Sequence, residues 1–129
     1  MVRAVDPRST WDYVLLAERE LPPEERTTFR LRPLTAREQA QVEDTALTTG
    51  PDGRVYSLNT GTHALTILRL GLVGWEGFAD EDGRPVPFAK NGSGTVSEAC
   101  LDAIPSRVRH ELANAITEQT KVSEGDRGN

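Results

Sequence analysis

Little in this sequence could carry chemistry. It has one cysteine, Cys100, and two histidines, His63 and His110, among 129 residues. A lone cysteine excludes an internal disulfide framework, and two distant histidines lack the short-range spacing of a zinc site. No apolar run approaches the ~20 residues that cross a bilayer. The stretch from Met1 to Thr10 is polar and has no apolar h-region, so no signal peptide is expected. Nor is positive charge in excess. Fifteen Lys and Arg stand against 20 Asp and Glu, a formal charge of −5, which disfavours direct nucleic-acid binding through phosphates. Aromatic residues make up 5% and the wider hydrophobic set 36%. The chain can fold as one domain, around a modest core.

Hydrophobic patterning predicts a small α+β domain in which an antiparallel hairpin packs on three to four helices. Residues 1–10 read as an N-terminal arm, 11–120 as the single domain and 121–129 as a flexible polar tail. Along 11–17, Trp11, Tyr13 and Leu15 alternate on one face. Along 27–32, Phe29 and Leu31 face in, while Thr28, Arg30 and Arg32 face out. Between these strands lies an acidic connection with Pro22 and Pro23, a turn by its loss of two backbone donors.

Thr35-Ala-Arg-Glu38 is a capping box that opens a surface helix to about Leu47. Thr48 to Gly53 reads as a turn, and Arg54 to Leu58 as a short strand. Thr62 to Val73 is the most apolar segment. Only His63, Thr66 and Arg69 interrupt it, on one narrow stripe. A helix apolar nearly all round is either the centre of the core or meets a partner. Thr95-Val-Ser-Glu98 reads as a second capping box, opening a helix through Ala103. Val108, Leu112, Ala115 and Ile116 form the amphipathic stripe of a last helix, Ser106 to about Thr120.

Candidate chemistry is thin. A Cys100–histidine pair has no supporting spacing, and two solvent-facing histidines with a buried thiol are the plainer reading. Asp80-Glu81-Asp82-Gly83 resembles the start of a calcium loop. The glutamate required six residues after the glycine is Ala89, so the pattern fails. Gly92-Ser-Gly94 is not followed by the Lys-Ser/Thr of a phosphate loop. Arg30 and Arg32 read as an ordinary solvated face. No catalytic residue, cofactor site or metal site is expected.

The one surface feature above background is the glycine-flanked segment Leu72–Phe78. Trp75 and Phe78, with Leu72 and Val73 beside them, could anchor a partner, and Asp80 and Asp82 would form the rim. The alternative is that the two rings plug one end of the core.

Three phrases carry a resemblance. They are Phe29-Arg-Leu-Arg-Pro-Leu-Thr35 with Arg37-Glu38; Leu70-Gly-Leu-Val-Gly-Trp-Glu-Gly-Phe78 with Asp82-Gly-Arg-Pro-Val-Pro-Phe88; and Leu101-Asp-Ala-Ile-Pro105 with the closing helix. In this order they resemble small tail-morphogenesis proteins of tailed bacteriophages, especially tail assembly chaperones, over residues 11–119. The resemblance implies a non-enzymatic protein of the bacterial host cytoplasm that holds tail proteins, notably the tape measure, until the tube assembles. It leaves a virion subunit (a head–tail connector or tail accessory protein) open, and homo-oligomers too. A small acidic phage inhibitor of a host defence complex is a third reading, which would need its acids on one face.

Overall fold

The computed structural model describes residues 1, 4–6, 8–49, 51–52, 55–58 and 60–125. In chain order the elements are β1 (Trp11–Val14), β2 (Thr28–Leu31), α1 (Ala36–Ala46), β3 (Leu47–Thr49), β4 (Val55–Leu58), α2 (Thr60–Gly71), β5 (Leu72–Glu76), α3 (Glu98–Ala103) and α4 (Ser106–Gly125). The fold is mixed α+β. The expected hairpin forms, with Tyr13 opposite Phe29 and Trp11 opposite Leu31. The strand portion of 11–17 stops at Val14, and a 3-10 turn takes over at Leu16–Glu18.

A third strand completes the sheet, in the order β1-β2-β5. It takes the last two residues of the helix expected over Thr62–Val73 and the three that follow them. Gly71, the last residue of α2, sits where the chain passes too close to α4 for a side chain. A Cβ on Gly71 would lie 2.7 Å from Ile116 Cδ1. The Gly71 carbonyl accepts the Arg32 N–H at 2.9 Å instead, and Leu72 turns into the sheet opposite Leu31. Leu72 and Val73 are therefore strand residues, not helix residues. A short apolar run of this kind has no period that separates helix from strand. Val73 is the extra residue of a bulge, since Arg30 faces Gly74 while the adjacent Leu31 faces Leu72.

The segment read as a turn after α1 also contains a strand, β3, which pairs with β4 as a separate two-stranded sheet. Gly50, Gly53 and Arg54, part of that expected turn and strand, lie outside the described residues.

The first capping box forms as its sequence requires. The Glu38 N–H donates to Thr35 Oγ1 at 3.2 Å, and the Thr35 N–H donates to Glu38 Oε1 at 2.9 Å. Arg32 joins it, both guanidinium nitrogens reaching the Glu38 carboxylate at 2.9 and 2.6 Å. Arg32 is thus not a solvated residue; its side chain is 18% exposed. Burial alone would raise the Glu38 pKa. The hydrogen bonds from Arg32 and Thr35 and the Arg32 charge outweigh it and hold the carboxyl below its usual value.

The second box does not form, and a single cap two residues further on takes its place. Ser97 is the cap, its side chain accepting the Cys100 N–H. Thr95 instead donates to Asn91 Oδ1 at 3.0 Å within the preceding turn. The last helix runs beyond Thr120 to Gly125, five residues into the expected tail. Thr120 is only 4% exposed; its Oγ1 accepts the Leu34 N–H and donates to the Ile116 carbonyl. Residues 126–129 lie outside the described part.

The helices pack on the inward face of the sheet. Phe29, Leu31, Ile67, Leu68, Leu72, Ile104, Leu112 and Ile116 are each at most 2% exposed. The α2 helix packs on both α1 and α4, so it is central to the core. Of the three leucines expected in the core, Leu68 of α2 and Leu72 of β5 are buried, and Leu65 is half-buried. Along α1, among the residues whose burial is described, Val42 alone is buried, as the small apolar residues of that helix imply.

One glycine is needed where β5 ends. Gly77 has φ +76°, and a Cβ there would sit 2.6 Å from the Arg26 carbonyl oxygen. Gly77→Ala is expected to destabilise by about 1–3 kcal/mol, from left-handed backbone strain and the displaced β2 entry. Gly83, at φ +78° but in open space, is the control. A denaturation midpoint no lower for Gly77→Ala than for Gly83→Ala would show that the carbonyl contact relaxes without cost.

Candidate functional site

The rings of the expected anchor face the core. All three phenylalanines of the sequence share one cluster with Trp75. Trp75 meets Phe78 edge-on at 4.9 Å and Phe88 at 5.0 Å, while Phe29 lies 6.3 Å away. The indole N–H donates to the Val86 carbonyl at 2.8 Å, so its one polar atom is satisfied internally. Leu72 is 2% exposed. The geometry is that of the core plug. Phe88 was missed as a member. Its signal was the Pro85–Phe88 stretch returning after the acidic turn, where the Val86 N–H bonds the Phe78 carbonyl at 2.8 Å.

The acidic rim has a local task. Asp80 Oδ1 accepts the N–H groups of Asp82 and Arg84, both at 2.9 Å, an Asx-type turn. Asp82 is exposed. Of the six expected contact residues, Val73 and Trp75 also border a depression on the opposite face of the sheet.

That outward face is built by β-strand alternation. Asp12, Arg30 and Gly74 stand in one row across the strands, and Val14, Thr28 and Glu76 in the next. Gly74 contributes no side chain, so the sheet has a notch of about 230 Å3 lined by Asp12, Thr28, Arg30, Val73, Trp75 and Glu76. A Cβ at Gly74 would meet only Arg30 Cβ, at 3.7 Å, an ordinary contact, so the backbone there accepts a side chain. Arg30 and Asp12 pair at 3.3 Å with both side chains more than half exposed (57% and 60%). Such a pair contributes at most about 1 kcal/mol and exchanges partners readily.

The potential nucleophile is placed for structure. Cys100 is buried, its Sγ accepting the Ala89 N–H at 3.3 Å and approaching the Pro87 carbonyl at 3.5 Å. His110 is exposed on α4. His63 lies on α2 beside a cleft of about 130 Å3 with Leu34, Val42, Thr117 and Lys121. Its Nδ1 is buried without a hydrogen-bond partner among the described residues. Among those residues no group of three or more His, Cys, Asp or Glu is placed to hold a metal ion, and no helix is long and apolar enough to cross a membrane.

A polar clamp holds the sheet to the last helix. Glu111 Oε2 accepts the Tyr13 hydroxyl at 2.7 Å and the Leu16 N–H at 2.9 Å. Burial, then the Glu111 hydrogen bond and charge, push the Tyr13 pKa up to about 12, against a smaller lowering by Arg19. The folded-state pKa lies above the ordinary value near 10, so the neutral phenol favours folding. That contribution is complete below pH ~10 and is lost as pH rises toward 12. Glu111→Gln is expected to bring the Tyr13 titration, followed by ring-carbon NMR, back toward 10. An unchanged midpoint would assign the shift to burial alone.

No protein-family model, curated protein or solved structure matches the chain.

Proposed function

We propose that this chain is a non-catalytic binding protein of tailed-phage morphogenesis, chaperone-like, which holds a tail protein such as the tape measure in the host cytoplasm during assembly. The family reading rests on the three-phrase resemblance. The observation that supports a binding role is the notch at Gly74 on the outward face of the sheet. An antiparallel sheet with one solvated face is ordinary. This one adds a gap in its side-chain layer, between an exchangeable ion pair and the edge strand β5. The gap can receive one side chain of a partner, and Arg30, Asp12 and Glu76 can orient it. The site thus moves from the Trp75 and Phe78 rings to the opposite side of the same strand. This face carries Arg30 as well as Asp12 and Glu76, so it is not the single-signed face that an acidic mimic of nucleic acid needs.

The test is co-expression with the tape-measure protein of the same phage, followed by size-exclusion chromatography. The expected result is co-elution with the native chain and its loss with Gly74→Val, at an unchanged melting temperature. Co-elution unaffected by Gly74→Val would remove the notch from the interface, and no co-elution at all would overturn the chaperone reading. Mass spectrometry of purified particles separates the alternative, since a virion subunit is retained in fixed copy number.

A further inference from the structure

The β1–β2 connection, residues 15–27, is longer than a hairpin needs, and it is built rather than loose. Two 3-10 turns, Leu16–Glu18 and Pro23–Glu25, carry it around. Side chains then fasten it from within. Arg19 Nε donates to the Val14 carbonyl at 3.1 Å, and Arg26 reaches the Leu21 and Arg19 carbonyls at 2.7 and 2.6 Å. Glu18 Oε1 accepts the Thr27 N–H at 2.8 Å, and Glu111 holds the Leu16 N–H. Both arginines are thereby drawn onto backbone carbonyls, and Arg19 also lies over the Tyr13 ring at 5.3 Å.

Two leucines are left outside this frame. Leu16 is 64% and Leu21 38% exposed; apart from Met1 they are the large exposed apolar residues of the described chain. Glu20, Glu24 and Glu25 lie on the same connection, next to Leu21 or within four residues of it in the chain, and are exposed. An isolated exposed leucine means little. Here two are presented on a loop whose conformation is already fixed, which lowers the ordering cost of association. The exposed carboxylates of the same connection select the sign of the partner.

We propose that this connection is a docking surface, separate from the notch, for a basic amphipathic protein segment that covers Leu16 and Leu21 with apolar side chains and meets Glu20, Glu24 and Glu25 with lysine or arginine. The apolar contact supplies affinity, and the charges supply orientation and salt dependence. This surface stands whether or not the phage reading holds, since its test uses no phage component.

The probe is an 18-residue amphipathic helical peptide of lysine and leucine, compared with a scrambled peptide of the same composition and with a glutamate–leucine counterpart. Chemical shifts of the full chain follow its binding. The expected result is perturbation centred on the amides of residues 16–25 by the amphipathic basic peptide, weakened by added salt. Both controls should bind much less. Leu16→Ser with Leu21→Ser should weaken binding roughly ten-fold or more at an unchanged melting temperature. Glu20→Gln with Glu24→Gln and Glu25→Gln should flatten the salt dependence. Perturbations centred elsewhere, equal binding of the scrambled peptide, or affinity indifferent to the leucine pair would overturn the proposal. Self-association of the native chain that the leucine variant abolishes would assign the surface to a second copy and overturn it as well.

Discussion

Trp75→Ala is expected to lower the stability of the isolated chain by about 2–4 kcal/mol, within the range for aromatic truncations in cores and reduced because the ring is only half-buried. Three losses add. The ring leaves edge-on contacts with Phe78 and Phe88. Phe29, 1% exposed, loses one wall of its pocket. The Val86 carbonyl loses its indole donor, which also loosens the return of the chain after the acidic turn. Equilibrium unfolding in urea measures the effect. The same measurement separates the two roles open to this residue. An anchor for a partner would leave the melting temperature nearly intact and abolish binding. A loss below about 1 kcal/mol would return Trp75 to the interface and remove the argument that the site lies on the opposite face.

Leu68→Ala should cost about 2–5 kcal/mol, the span reflecting how far neighbours collapse into the space left. Leu68 is fully buried on the central helix, among Phe29, Leu31, Ile67, Leu112 and Ile116 of one continuous core. The α2 helix is packed on both α1 and α4, so relaxation on one side opens a gap on the other, and the upper half of the range is expected. Leu65→Ala, at a half-buried position three residues earlier, should cost distinctly less. Equal effects, or a loss below about 1 kcal/mol at Leu68, would mean that α2 faces a partner and that the monomer is held together elsewhere.

The elements legible in the sequence are those whose signals are local. Alternation at Phe29 and Leu31 sets the inward face of β2, because successive strand side chains point to opposite sides. Thr35 and Glu38 announce the start of α1, because the hydrogen bonds that cap it lie within four residues. The apolar excess of residues 62–73 marks a central helix, although its last two residues belong to β5, and the i, i+4, i+7, i+8 stripe of Val108, Leu112, Ala115 and Ile116 marks α4. These features, with composition, determine an α+β domain with a modest core.

Tertiary structure decided the rest where a residue's state depends on a distant neighbour. Position 71 needs a glycine because Ile116 leaves no room for a Cβ, and nothing near Gly71 in the chain announces Ile116. Leu72–Glu76 is a strand because β2 has a free edge beside it; alone, the segment reads equally as a frayed helix. Thr120 reads as a polar helix end, yet it is buried, and its hydroxyl accepts the N–H of the distant Leu34. The candidate site follows the same rule. Trp75 and Phe78 stand out in sequence because aromatic residues are few, but which face receives them is set by the pleat and by Phe88. The notch is an absence, one side chain missing at Gly74. It becomes a surface feature only when β5 pairs with β2 and places that gap beside Arg30.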